Sequence, residues 1–463
     1  MTDHSHSTTL CGSQPRGPQA RYAGEEYVRG FFQLLEAEGV SYCILGGYET
    51  FPMHITSDID FMVSKADQAR LLPLVKSFGD RYGLRLVQIF DHEISARAFV
   101  LVGFEARDAI YMWLDSSSDY RRNGQKSLAA GDTLARRRLH PRGFWIPAPA
   151  DEFDYYLVKK IGKGELTGKH GSHLSQLYHE DPEGCRAALG KRWPPASVAK
   201  ICAAAASNDW SIVSASIPGL GSGLLNFLEQ PSAGARLLEF ARKCRRVLVP
   251  SGCWIALLGP DGSGKSSLIE ALSDVGRLAF RKVHSYHLRP ELLRRGKSGV
   301  RNTVTDPHAL PARSLFASLA KLAVFWCDYV GGYWLRIRPQ MVRSTLVIFD
   351  RYYHDLLVDS KRYRYQAPRW VTDLAGRFVP LPDLVFILDA PPEVVQARKP
   401  EVSPEESIRQ REAYKRLAQD LDSRTRTVVI DTSQPLDDSV RDAADEIFDF
   451  LEARTARRYG IGS

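Results

Sequence analysis

The chain has 463 residues, 44% of them hydrophobic and 25% charged, with a formal net charge of +8. These proportions are ordinary for a globular protein and exclude a mostly disordered chain, a fibrous repeat and a polytopic membrane protein. The basic excess suits an anionic partner (nucleotide, nucleic acid or lipid surface) without choosing among them. Seven scattered cysteines with no C-x-x-C pair argue for a reducing cytoplasmic setting over a disulfide framework or a structural zinc site.

Taken in chain order, residues 1–21 read as a polar, disordered tail, not a signal peptide. A first block, 22–149, opens with a helical pattern that stops at Gly39. A strand from Tyr42 to Leu45, a Gly46-Gly47 turn and a second strand containing Asp58-Ile-Asp60-Phe-Met-Val63 follow. Alternation continues at Leu84–Phe90, Ala98–Val102 and Ala109–Leu114, which predicts a mixed α/β domain. Residues 150–223 have helical spacing and read as a connector, with a hinge expected at Ser214–Gly223 and a linker helix at 224–251. The apolar stretch Leu315–Ile337 is broken by Lys321, Asp328 and Arg336, so a soluble helix is expected there and no transmembrane segment. From 252 to 455, short β-branched runs at Trp254–Leu258, Leu346–Phe349, Leu384–Leu388 and Val428–Ile430 alternate with helical segments. That pattern predicts an α/β fold with a parallel sheet covered on both faces.

Gly259-Pro-Asp261-Gly262-Ser263-Gly264-Lys265-Ser266 fits G-x-x-x-x-G-K-[ST], between an expected strand and the helix that starts at Ser266-Ser267. Glycines at this spacing let backbone N–H groups wrap phosphates, and the helix N-terminus adds positive potential. Lys265 is placed to reach the β- and γ-phosphates of ATP, and the Ser266 hydroxyl to ligate Mg²⁺.

This block resembles the thymidylate kinase family of P-loop nucleoside monophosphate kinases over about Gly252 to Leu451. The likeness rests on GPDGSGKSS, FDRYYHD at 349–355, LPDLVFILDAPPEVVQARK at 381–399 and QREAYKRLA at 410–418. The resemblance implies that Asp350 helps organise the metal, that Arg351 grips the acceptor phosphate and that Asp261 meets the acceptor sugar. No arginine lies among the variable loop residues, so a transition-state cation must come from a lid carrying Arg398, Lys399, Arg409 and Arg411. Arg398 aligns with the family's first lid arginine; for Arg409 and Arg411 a solvated helix face is an equal alternative. The family's S-S-x-A-Y-Q segment, which shapes its thymine pocket, is replaced by YYHDLLVDSKRYRYQAP. There Lys361, Arg362 and Arg364 surround Tyr363, a group suited to an anionic or aromatic acceptor. A basic loop with Arg294, Arg295, Lys297 and Arg301 offers a second such group, with a solvated loop as an equal alternative.

In the first block, Leu45-Gly46-Gly47 followed by Asp58-Ile-Asp60 resembles the core motif of the DNA polymerase β-type nucleotidyltransferases. The resemblance implies a glycine turn on a triphosphate and two strand carboxylates which, with a third, hold Mg²⁺. Asp115 is the candidate third carboxylate, with Asp108 and Asp119 as competitors. Glu49, standing where that family carries a basic or serine-rich contact, would repel a triphosphate. His170, His173 and His179 have loose metal-ligand spacing but read as polar surface. The clusters Arg136–Arg142 and Arg242–Arg246 lack the aromatic interleaving of a single-strand binder. Phe325, Trp326, Tyr329, Tyr333 and Trp334 read as core.

The expectation is an ATP- and Mg²⁺-dependent kinase of a small phosphorylated acceptor, dTMP by resemblance. A kinase of a sugar or glycan intermediate with accessory nucleotidyltransferase activity is one alternative. A non-catalytic nucleotide sensor or nucleic-acid binder is the other. Nothing in the pattern bears on oligomeric state.

Overall fold

The computed structural model describes residues 19–48, 50–122, 125–227, 232–292, 314–399 and 403–461. It contains two compact units. One is built from Tyr22–Gly103, Ile110–Val249 and the chain end from Leu451, the other chiefly from Pro250–Phe450.

The first unit opens with β1 (Ala20–Tyr22), α1 (Glu25–Ala37), β2 (Tyr42–Ile44), β3 (Ile59–Val63), α2 (Lys65–Gln68) and α3 (Leu71–Tyr82). Long strands follow: β4 (Arg85–Glu93), β5 (Ala96–Glu105) and β6 (Asp108–Ser117). The sheet order is β2-β3-β6-β5-β4, with β1 also paired to β6. Ala20 and Arg21 therefore sit in a strand instead of the expected tail; residues 1–18 lie outside the described residues. In α1, Val28, Phe31, Phe32 and Leu35 repeat at the spacing of one helix face and are buried. They pack against the sheet and α3: the Phe31 ring meets Phe61 of β3 and Phe78 of α3 edge-on.

Two hairpins and a short helix come next: β7 (Asp119–Arg122) with β8 (Gln125–Ala129), α4 (Ala130–Ala135), and β9 (Arg138–His140) with β10 (Phe144–Ile146). The helical part comprises α5 (Pro149–Lys163), α6 (Gly168–Glu180), α7 (Pro182–Gly190), α8 (Pro195–Ser207), α9 (Ser211–Ala215), α10 (Ile217–Phe227) and α11 (Ala233–Leu248). The expected hinge at Ser214–Gly223 is instead occupied by α9 and α10. Val213, Leu220 and Leu224 are buried in the helical core, and Trp193 Nε1 donates to Leu220 O at 3.2 Å. Apolar burial overrides the glycine-rich composition of that segment.

The second unit runs β11 (Cys253–Leu258), α12 (Lys265–Gly276), β12 (Lys282–His287), α13 (Leu315–Gly332), a π-helical turn (Tyr333–Ile337), α14 (Arg338–Val342) and β13 (Thr345–Asp350). It continues with α15 (Asp355–Val358), α16 (Arg369–Gly376), β14 (Leu384–Asp389), α17 (Pro392–Arg398), α18 (Pro404–Asp422), β15 (Arg426–Asp431) and α19 (Leu436–Tyr459). Its five strands are ordered β12-β13-β11-β14-β15 and every neighbouring pair is parallel. All six residues of β11 are buried, as a central strand covered on both faces requires.

The helix from Leu315 to Val342 is long and apolar enough to cross a membrane by length and composition. Each interrupting charge has a protein partner. Lys321 Nζ donates to Tyr363 O at 2.5 Å, Asp328 accepts from Leu292 N at 2.6 Å, and Arg336 donates to Pro290 O at 2.7 Å. Leu322, Phe325 and Tyr329 belong to the core, whereas Trp334, expected there too, is exposed.

Candidate functional site

In the second unit, strand register gathers the motif residues at the carboxyl ends of the parallel strands. Leu257 lies opposite Asp350, His287 opposite Asp350, and Leu258 opposite Ile387. The chain leaves β11 at Gly259, turns through the glycine loop and enters α12 at Lys265. Gly262 has φ +83°, and a Cβ there would lie 3.0 Å from Val395 O and 3.2 Å from Lys399 Cβ. Only glycine fits between the turn and the end of α17. The first-turn N–H groups of α12 have no acceptor within the helix and carry its positive end.

Lys265 is buried and folded under this loop, its Nζ donating to Gly259 O at 2.9 Å and Pro260 O at 2.6 Å. Burial, seconded by Arg351, pushes its pKa down to about 7. Ser266 and Ser267, on the first turn, are exposed. Asp350 accepts from His287 Nδ1 at 3.1 Å, while its Oδ1 is buried without a hydrogen-bond partner among the described residues. Burial works against its charge, yet the His287 bond and Lys265 hold the carboxyl below the usual range. A half-buried carboxylate held ionised, with one oxygen unsatisfied, fits a divalent cation.

Arg351 is buried at φ +71°, its N–H held by Leu257 O at 3.0 Å. A non-glycine residue in that region costs about 1–3 kcal/mol and persists only where its surroundings over-determine it. Here the guanidinium bridges two carboxylates, Asp355 at 2.8 Å and the loop residue Asp261. Asp355 has no exposed surface and also accepts from Tyr363 (2.6 Å) and Tyr414. Asp261 is gripped a second time by Arg362, from the basic insertion. Burial would raise the Asp261 pKa, but Arg351, Lys265 and Arg362 hold it well below the usual carboxylate range. The insertion thus folds onto the phosphate loop. Residues 293–313, with the basic loop at Arg294–Arg301, lie outside the described residues.

Arg398 ends α17 beside the loop: a Cβ on Gly264 would be 4.0 Å from its Nη1. The other lid arginines are already engaged. Arg409 bonds Glu406 at 2.5 Å and Val358 O at 3.2 Å, and Arg411 is bidentate to Asp389 at 2.5 and 2.8 Å.

In the first unit, β3 and β6 pair in parallel with Asp60 opposite Asp115. The strand was expected to end at Leu114 but runs on to Ser117, which puts Asp115 inside it. Asp58, Asp60 and Asp115 each present a carboxylate oxygen within 4.8 Å of the others. Burial and then the neighbouring Asp60 raise the Asp58 pKa. Gly47, at φ +71°, carries the turn into this corner. Lys159 of α5, for which the sequence carried no local signal, reaches Asp60 at 2.9 Å and Tyr155 at 2.9 Å. Glu49 lies outside the described residues.

Tyr48 donates to the buried Glu152, which also meets His173 at 3.0 Å; His170 Nδ1 accepts from Thr167 N and its Nε2 lies 2.8 Å from Lys160. These histidines serve packing and capping. In the basic clusters Arg136 pairs with Asp151, Arg138 with Glu180 and Arg242 with Glu239.

A parallel sheet whose carboxyl ends carry a glycine loop, a buried lysine and a clamped arginine is the architecture of a nucleotide-binding phosphotransfer domain. Residues 258–443 match the thymidylate kinase family model. A "Probable thymidylate kinase" of Methanosarcina barkeri is 28% identical over 217 residues, 43% of this chain and 98% of that relative. Its namesake in Methanosarcina acetivorans is 28% identical over 220 residues, again 43% and 98%. A crystal structure of thymidylate kinase from Ehrlichia chaffeensis aligns over 100% of its chain and 43% of this one, at 18% identity and a TM-score of 0.31. The family match and the curated relatives support a nucleotide kinase in the second unit.

Proposed function

We propose that the second unit, the kinase domain expected at 252–455, transfers the γ-phosphoryl group of Mg·ATP to a nucleoside monophosphate, with dTMP the leading acceptor. The observation that carries this reading is the convergence on one glycine loop of Lys265, Arg351, Arg362 and Asp261. An oxygen of the acceptor phosphate attacks the γ-phosphorus as the bond to the β,γ-bridging oxygen breaks, and ADP leaves. Lys265 swings from the loop carbonyls onto the β- and γ-oxygens. Arg351 holds the acceptor phosphate in line, and Arg398 steadies the charge spreading over the transferring group. Arg409 supports the lid through Glu406. Ser266 and Asp350 would hold Mg²⁺, whose chemistry here is to neutralise the β- and γ-phosphoryl oxygens. The names of the curated relatives favour dTMP, and a cytoplasmic location fits that substrate. Arg362 on Asp261 marks the acceptor side as more basic than the family pattern.

The first unit supports a second reading, because three carboxylates meet within 4.8 Å. Asp58, Asp60 and Asp115 would hold divalent ions that activate a hydroxyl and steady leaving pyrophosphate, with Gly46 and Gly47 against the triphosphate.

The test is label transfer from γ-labelled ATP to a panel of nucleoside monophosphates and phosphorylated sugars. Label on dTMP supports the proposal. Label only on a sugar phosphate favours the glycan-kinase alternative, and label on no acceptor favours a nucleotide sensor.

A further inference from the structure

His354 precedes α15, three residues after Arg351, and is 4% exposed. Both of its ring nitrogens are buried without a hydrogen-bond partner among the described residues. A buried imidazole with neither nitrogen satisfied is costly and calls for a partner. His354 lines a cavity of about 330 Å³ between α15, α16 and α18. At about 30 Å³ per water, that is room for a ligand far larger than one solvent molecule.

The other polar groups lining the cavity are strongly biased. Four arginines, Arg369, Arg377, Arg416 and Arg424, face two acids, Asp373 and Asp420. Arg369 lies 3.7 Å from Asp373. The guanidiniums of Arg377, Arg416 and Arg424 have no carboxylate partner among the described residues; Arg424 donates only to a backbone oxygen, Arg377 O, at 3.3 Å. Arg424 also stands close enough to His354 to reinforce the drop in its pKa that burial causes. Three unpaired planar forks around an unsatisfied imidazole match the oxygens of a phosphorylated molecule, which accept bidentate hydrogen bonds.

We propose that this cavity is a second anion site, separate from the phosphate loop, that binds a small molecule carrying a diphosphate group. Arg377, Arg416 and Arg424 neutralise its charge and the His354 imidazole donates the inner hydrogen bond. The site lies one residue from Asp355, whose carboxylate holds Arg351, so its occupant bears directly on the turn that positions that arginine.

The test uses the full chain carrying Lys265→Ala in EDTA, which weakens the phosphate loop and strips metal from the carboxylates of the first unit. Inorganic pyrophosphate is titrated by calorimetry. Saturable binding is expected, weakened at least about tenfold when the exposed pair Arg416→Ala and Arg424→Ala is added. His354→Gln, tested separately, should weaken it in the same direction. Equal affinity with and without the two arginines, or no binding at all, overturns the proposal.

Discussion

The glycine loop of the second unit and the glycine turn of the first both set backbone beside carboxylates, yet the charges around them are balanced differently. Around Gly259–Ser267 each nearby acid has a cationic or hydrogen-bonding partner. Asp261 is paired with Arg351 and Arg362, Asp355 with Arg351, and Asp350 with His287. Among the described residues Lys265 is hydrogen-bonded to loop oxygens and not to a carboxylate. At Asp58, Asp60 and Asp115 three carboxylates cluster, with Lys159 on Asp60, Lys163 acting on Asp58 and His92 at 3.9 Å from Asp115. Burial, and then the neighbouring Asp60, raise the Asp58 pKa. The acids around the glycine loop are thus largely compensated, whereas the first unit's three carboxylates are less so.

The comparison breaks most sharply at Lys265. Lys265→Ala should lower γ-phosphoryl transfer by about 10³-fold with an unchanged circular dichroism spectrum, on the scale of losing one essential charge-stabilising donor. Retained transfer would remove the loop from the reaction. Asp58→Asn with Asp60→Asn should leave that transfer intact while abolishing Mg²⁺-dependent pyrophosphate release and diminishing the Mg²⁺-induced rise in Tm. An undiminished Tm response to Mg²⁺ would place the cation elsewhere.

Arg351→Ala should raise the acceptor KM and, by stranding buried Asp355, destabilise the second unit by about 3–5 kcal/mol in urea. An unchanged KM would contradict its assigned contact. The smallest effect concerns protons. With a pKa of about 7, Lys265 is largely neutral above pH 7 in the free protein and takes up a proton as it meets a triphosphate. ATP affinity should therefore fall as pH rises above 7. Calorimetry in buffers of different ionisation enthalpy should register the uptake, and its absence at pH 8 would count against the buried lysine as the phosphate contact.

What was legible in the sequence follows from how local each feature is. The phosphate loop is one contiguous run whose glycines dictate their own backbone, and the fully apolar strands announce a covered parallel sheet. The carboxylates at Asp58 and Asp60 were visible from their spacing, but bringing Asp115 to them depends on the register between β3 and β6, which no short motif encodes. Lys159 lies 99 residues from Asp60, and Arg362 lies 101 residues from Asp261. Each pairing is a product of packing; only the clustering of Lys361, Arg362 and Arg364 hinted at the second. The glycine-rich run at Ser214–Gly223 misled in the other direction, since Leu220 and Leu224 bury a helix there. His354 gave no signal, because a lone histidine becomes informative only once its nitrogens are known to be buried and unpaired.

The central claim is that the second unit moves phosphate between nucleotides through Lys265. The most direct measurement follows ³¹P resonances as the full chain meets Mg·ATP and dTMP, beside the Lys265→Ala variant. Equal amounts of ADP and dTDP from the native chain, and neither from the variant, are predicted. ADP with free phosphate and no dTDP, or dTDP formed equally well by the variant, would contradict it.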